Sequence, residues 1–370
     1  PDTVTKIDYA SFWNCTSLEY IEIPDSVTEI NNAFGGCENL TSIKLSKNIQ
    51  KITPYTFSGC NKLNSIEIPA SLENYYPGTS HGPFSGCSGL TKVTFEDGRT
   101  EIPQCLFADC TGLKTILIPD TVTKIDYASF WNCTSLEYIE IPDSVTEIDS
   151  VFQGCVSLKN IKLSENLSYL PTSTFARCTS LEYIEIPDSI TSMGENIFLG
   201  CTSLEKVKLP NAVQNIMAGT FYNCKKLKDI VLPETVTAIR ENAFYGCTSL
   251  PSINLPDGLQ TIEDNAFYEC KALTDITIPK SVTSIGSKVF YNCDGLQKAV
   301  INASGEIGYQ AFYDCDALTS LTLADSITKI GSSLCYGCDK LTDIKFGKYI
   351  TEIPDSSFRK CAALQSVTLP

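Results

Sequence analysis

Apolar positions in this chain recur in one fixed order, as in Leu18, Ile21, Ile23, Val27, Ile30, Phe34 and Cys37, with polar residues between them. The Ile21-x-Ile23 pair alternates with period two and predicts a short strand with one face turned inward. Pro24-Asp25-Ser26 is turn chemistry: a fixed φ, then side chains that bond nearby backbone. Val27 to Ile30 is β-branched and predicts a second short extended piece. The Ala33-Phe34-x-x-Cys37 segment has helical spacing and predicts one tight helical turn. The residue before the Cys is Gly in seven units, Asn in four and Asp in two, the composition expected where φ is positive.

The same order repeats along the whole chain. Sixteen of the 18 Cys stand in one phase, from Cys15 and Cys37 to Cys338 and Cys361. Eleven of their intervals are 23 residues, three are 22 and one is 27. Leu follows each of these Cys by three positions, and Phe precedes each by three except where Cys335 replaces it. A fixed period of this size predicts a solenoid and overrides the two or three domains that 370 residues would otherwise suggest. One coil cannot bury its single row of inward side chains, but coils stacked about 4.8 Å apart bury them together, giving a body roughly 75 Å long. The expected organisation is one repeat domain over residues 1–370, with a four-residue insertion within 73–83.

The Leu-x-x-Ile-x-Ile-Pro…Ala-Phe-x-x-Cys unit resembles the bacterial surface-antigen class of leucine-rich repeats, the BspA-like class, over the entire chain. That resemblance implies a leucine-rich-repeat solenoid of short parallel β-strands without enzymatic activity. It also implies a part of a larger secreted or cell-surface protein that binds host proteins or matrix, with no defined site carried over. Residues 1–30 and 119–148 are identical, which reads as duplication of a multi-repeat cassette. The chain starts and ends at the same phase of the unit without an atypical capping repeat, so a longer parent protein is expected.

Charge narrows the partners. The net charge is −15, with 43 acidic against 28 basic residues, which argues against nucleic acid or an anionic membrane surface. No apolar run is long enough for a membrane-spanning helix, and no N-terminal signal is present. The single histidine, His81, removes histidine triads and multi-His zinc sites. Carboxylates are plentiful, but none stands out as a converging acid–base pair, so no catalytic residue, metal or cofactor is expected. Glu22, Lys44 and Glu67 in one column, and Lys6, Glu29 and Lys51 in another, predict ladders of alternating sign between coils. Asp97, Asp120, Asp143, Glu165 and Asp188 form a same-sign turn column, read as solvated carboxylates because the spacing matches no established calcium loop. The cysteine column reads as buried thiols acting as small hydrophobes, since parallel Cβ vectors make poor disulfides. Cys335 and Cys338 match C-x-x-C by letter only, with Cys335 in the Phe slot.

Two features rise above the repeat as candidate binding residues. Tyr222, Tyr245, Tyr268, Tyr291, Tyr313 and Tyr336 directly follow the Phe position in successive units and predict an outward aromatic stripe. The insertion carries Tyr75, Tyr76 and His81 and predicts an exposed loop. Tyr20, Tyr138 and Tyr183, on the strand face, sit in copies of one segment and make a weaker case. The expected function is a non-catalytic surface or secreted adhesion module for a protein or glycan ligand. The alternative is a structural spacer presenting another domain.

Overall fold

The computed structural model describes residues 3–73 and 81–370. Backbone contacts divide the chain into two compact units, Pro1–Ser189 and Ile190–Pro370. Both are parallel β-solenoids in which each coil adds one residue row to every layer.

In the first unit, Tyr20–Glu22, Ser42–Lys44, Ser65–Ile68 and Lys92–Phe95 form one parallel sheet in chain order. The register joins equivalent positions of successive coils, such as Ile21 with Ile43 and Ile66 with Val93. A second row holds Lys6–Ile7, Glu29–Ile30 and Lys51–Ile52, then Glu101–Ile102, Lys124–Ile125 and Glu147–Ile148. In the second unit, Asp275–Ile278, Lys298–Ile301, Ser320–Leu323 and Asp343–Lys345 build the first row. Asn215–Ile216, Ala238–Ile239, Thr261–Ile262, Ser284–Ile285, Gly305–Ile307 and Ile327–Ile330 build a six-stranded second row. Each of these pieces is two to four residues long and could not stand alone in water; only repetition makes the sheets.

The expected helical turn is not there: among the described residues no helix is assigned. The reason lies in where the N–H groups point. Those of Ala10, Phe12 and Asn14 donate to carbonyls of the next coil, at Asn32, Ala33 and Gly35. The alternate residues Ser11, Trp13 and Cys15 bond locally, three residues back. Half the donors are thus spent on the neighbouring coil, and a helix cannot propagate. Every residue before a phase Cys has positive φ as predicted, from Asn14 at 57° to Lys360 at 65°, including Arg177 and Glu269. A second left-handed residue stands four positions earlier, as at Ala10, Tyr55 and Lys288, and in other coils at Asn32, Asn196, Gly219, Asn242 and Asn265.

The core is a set of columns. Phe34, Phe57 and Phe84 are fully buried and stack with centroids 5.2–5.4 Å apart. In the second unit Phe221, Phe244, Phe267 and Phe290 stack at 5.1–5.5 Å. The cysteine column is more than small apolar filling. Cys247 Sγ donates to the Phe221 carbonyl at 3.2 Å, and that oxygen also accepts the Cys224 amide. The pattern recurs within each unit, as at Cys37 onto Phe12 and at Cys338 onto Phe312. Burial pushes Cys60 and Cys155 up to about 12, so both remain protonated donors.

The insertion leaves the core in step, because Phe57 N–H already finds Pro83 O of the next coil at 2.9 Å. Arg99 takes over the carbonyls that the irregular coil exposes. Its side chain is almost fully buried, with Nε on Glu101 O (2.6 Å), Nη1 on Pro69 O (2.6 Å) and Nη2 on Leu72 O (2.7 Å). Burial lowers its pKa to about 10, still fully charged at neutral pH.

Candidate functional site

The six tyrosines of the second unit occupy the position between inward Phe and the left-handed residue before Cys. The tight turn therefore aims each ring along the outside of the coil. Tyr222 and Tyr245 stack with centroids 4.6 Å apart and planes 10° apart. Tyr245–Tyr268, Tyr268–Tyr291, Tyr291–Tyr313 and Tyr313–Tyr336 follow at 4.6–4.7 Å, all within 5° of parallel. Each ring is half-buried. The four inner rings have both faces covered by their neighbours, so the stripe presents ring edges and a row of hydroxyls instead of flat faces.

The ladder has a charged setting. Burial first, then neighbouring phenols and Glu269, pushes Tyr268 up to about 12. Burial and Glu269 also raise Tyr245. Asp294, Asp316 and Asp339 form a column two residues beyond the left-handed position, and burial with these neighbours raises Asp316. Past Tyr336 the stack meets cations: Lys360 Nζ lies 5.1 Å and the Arg359 guanidinium 5.8 Å from its ring centre. The Tyr336 hydroxyl raises the Lys360 pKa.

The strand-face tyrosines are not brought together. Tyr20, Tyr138 and Tyr183 are exposed singly, and in register Tyr20 faces Ser42 and Tyr138 faces Asn160. Tyr138 and Tyr183 donate to Glu140 and Glu185 of their own strands at 3.4 Å. Tyr75 and Tyr76 lie outside the described residues. His81 is described, and it has company that sequence reasoning missed. Its Nδ1 lies 3.0 Å from Asp109 Oδ2, its ring is 4.9 Å from Tyr55, and Trp131 meets it edge-on at 6.0 Å. Asn132 Nδ2 donates to the other Asp109 oxygen at 2.7 Å. Trp131 stands in the same column as the six tyrosines, and reading that column coil by coil would have pointed to it. Among the described residues, no group of three His, Cys, Asp or Glu side chains is placed to hold a metal ion. Asp143 of the turn column instead accepts the Glu165 amide of the next coil at 2.9 Å.

Parallel coils, a Phe–Cys core and an outward residue row define a leucine-rich-repeat solenoid. The model of the BspA type leucine rich repeat region matches residues 1–79, 79–205, 191–307 and 299–370, and the chain belongs to that family. A leucine-rich repeat protein from Bacteroides ovatus is similar at 29% identity over 92% of this chain and 82% of that one, with a TM-score of 0.68. A leucine-rich repeat protein from Eubacterium ventriosum matches at 21% identity over 83% and 85%, with a TM-score of 0.52. A leucine rich cell surface protein from Faecalibacterium prausnitzii matches at 26% identity over 81% and 84%, with a TM-score of 0.47. No curated relative matches the chain. Repeat proteins of this class are generally non-enzymatic interaction modules, and no helix among the described residues is long and apolar enough to cross a membrane.

Proposed function

We propose that the protein is a non-catalytic, surface-displayed or secreted adhesion module that uses the tyrosine ladder to hold a polypeptide partner. The supporting observation is the continuous stack of six rings. Stacked rings have already lost their rotamer freedom, so binding to their edges costs little further ordering. Rings beside the Glu269 and Asp314 carboxylates suit a partner that brings Lys, Arg and backbone N–H groups. Sugars recognised by face stacking fit less well, since the inner faces are covered. Surface display rests on the family resemblance.

The test is capture of matrix proteins, mucins and glycans by the immobilised chain, compared with a Tyr268→Ala/Tyr291→Ala variant. Anchors of this kind are worth about 2 kcal/mol each, so affinity should fall at least about tenfold. Specific capture that is unchanged in the variant would remove the ladder from the reading. Capture of glycans alone would remove the polypeptide partner.

A further inference from the structure

The tyrosine ladder is a ruler as well as a surface. Its five steps measure 4.6, 4.6, 4.7, 4.7 and 4.6 Å between ring centres, so the row advances evenly over about 23 Å. Inside the same coils the phenylalanine column is wider and less even, at 5.1–5.5 Å. Every step of the outer row is locked by backbone. Asn223, Gly246, Glu269, Asn292 and Asp314, each directly after a ladder tyrosine, donate their N–H to the carbonyl of the next one at 2.7–2.9 Å. The rungs thus stand at close to the separation of hydrogen-bonded strands, about 4.7–4.9 Å.

A partner that meets several rungs at once must repeat its own groups at that interval. An extended chain lying along the row presents side chains on one face about every 6.4–6.8 Å, and an α-helix turns about every 5.4 Å. Polyproline II repeats at about 9.3 Å. Even the helix is about 4 Å out of step at the sixth rung. Parallel strands stacked in register repeat every side chain at about 4.7–4.8 Å and stay within about 1 Å of the ladder throughout. Charge supplies the rest of the chemistry. Glu269 and Asp314 directly follow ladder tyrosines, and Asp316 and Asp339 are exposed on successive coils beside them. Asp294 is already paired with Lys271 at 3.1 Å, and Lys360 and Arg359 occupy the Tyr336 end.

We propose that the partner of the ladder is a cross-β assembly: parallel, in-register strands stacked along the row, with Lys or Arg repeated on the facing side. This rests on the ladder being the binding surface and narrows its polypeptide partner to a fibre. The tyrosine edges meet one side-chain column rung by rung, while Asp316 and Asp339 meet the column of cations. Contacts made together by one rigid row need no further ordering, so the fibre is favoured over its own soluble strands. A second copy of this chain has the same repeat, but it carries the same charge of −15 and would set carboxylates against carboxylates.

The test mixes the full chain with parallel, in-register fibrils of a peptide of about seven residues bearing one Lys per strand, and reads co-sedimentation. Three probes serve for comparison: the same peptide kept soluble by a central Pro, an antiparallel fibril, in which a given side chain recurs only at every second strand, and a parallel fibril with Glu in place of Lys. Binding per strand to the parallel Lys fibril should exceed each of these by at least about tenfold. Tyr268→Ala/Tyr291→Ala should abolish that preference; should this variant not fold, Asp316→Asn/Asp339→Asn, at exposed positions, should weaken fibril binding by at least about threefold. Equal binding of soluble and fibrillar peptide, or of parallel and antiparallel fibrils, would overturn the spacing match while leaving the ladder a polypeptide site. Capture of matrix proteins at full strength by the tyrosine variant would instead remove the ladder itself. Binding that grows when the fibrils are sonicated into more ends, or self-association of the chain in place of fibril binding, would also overturn the proposal.

Discussion

Raising the pH tests the tyrosine ladder directly, because a packed phenol resists ionisation. Tyr268 is pushed up to about 12 from 10.0, chiefly by burial between its neighbours, and then by adjacent phenols and Glu269. A shift of that size corresponds to at most about 2.7 kcal/mol, and solvent at the ring edge screens it to about 1 kcal/mol. The sign follows from where the proton is held. Unfolded tyrosine releases it near pH 10, while folded Tyr268 keeps it to about 12, so the unfolded state binds fewer protons between those values. The contribution is complete below about pH 10 and is lost as pH rises through about 12. Phenolate absorbance of the folded chain should therefore rise in two phases, with Tyr268 in the late one beside the upward-shifted Tyr245 and Tyr291. Denaturant midpoints should fall over the same interval, and Tyr268→Phe should shrink both the late phase and the fall. A single absorbance transition near pH 10 in protein that is still folded would refute the packed stack.

Two further substitutions probe the backbone. Arg99→Met removes the donors that serve the Pro69, Leu72 and Glu101 carbonyls and should cost about 3–5 kcal/mol in denaturant unfolding, with Arg99→Lys little better because it lacks the planar fork. Gly246→Ala would press a Cβ against Asn223 Oδ1 at a positive φ and should destabilise by about 1–2 kcal/mol, whereas Arg177→Gly should be neutral or stabilising by about 1 kcal/mol; equal effects on melting would contradict the left-handed assignment.

Much of this architecture is legible in the residues, because repetition turns weak local signals into columns. The Leu, Phe and Cys rows, both strand rows and the positive φ before each Cys are all read from spacing and composition. So are the alternating charges, seen as Glu22–Lys44 at 2.5 Å and Glu140–Lys162 at 2.6 Å. The helical turn was misread because the second left-handed position is held by Asn or Gly in only some coils, such as Asn32 and Gly219, and by residues without a turn signature in others, such as Tyr55 and Lys288. Bonds to the neighbouring coil impose that conformation, and they have no local trace. The thiol's role as donor was hidden for a similar reason: its acceptor, the Phe carbonyl, belongs to the preceding coil. For the six tyrosines the column was visible, but ring orientation was not, and orientation decides whether faces or edges meet a partner. The surroundings of His81 were missed because Asp109 and Trp131 approach it from later coils.

The two identical thirty-residue cassettes show what such a design permits. Trp13 lies flat against Gly35, while its copy Trp131 meets His81 and packs on Cys105, Ala108 and Ala128. The same words thus acquire a different meaning from the windings beside them. Gene-level gain or loss of a whole winding would leave the interior indistinguishable while re-dealing every outer neighbourhood near the junction. A lineage carrying this chain can therefore vary what it displays by shuffling its own parts, with no new residue invented.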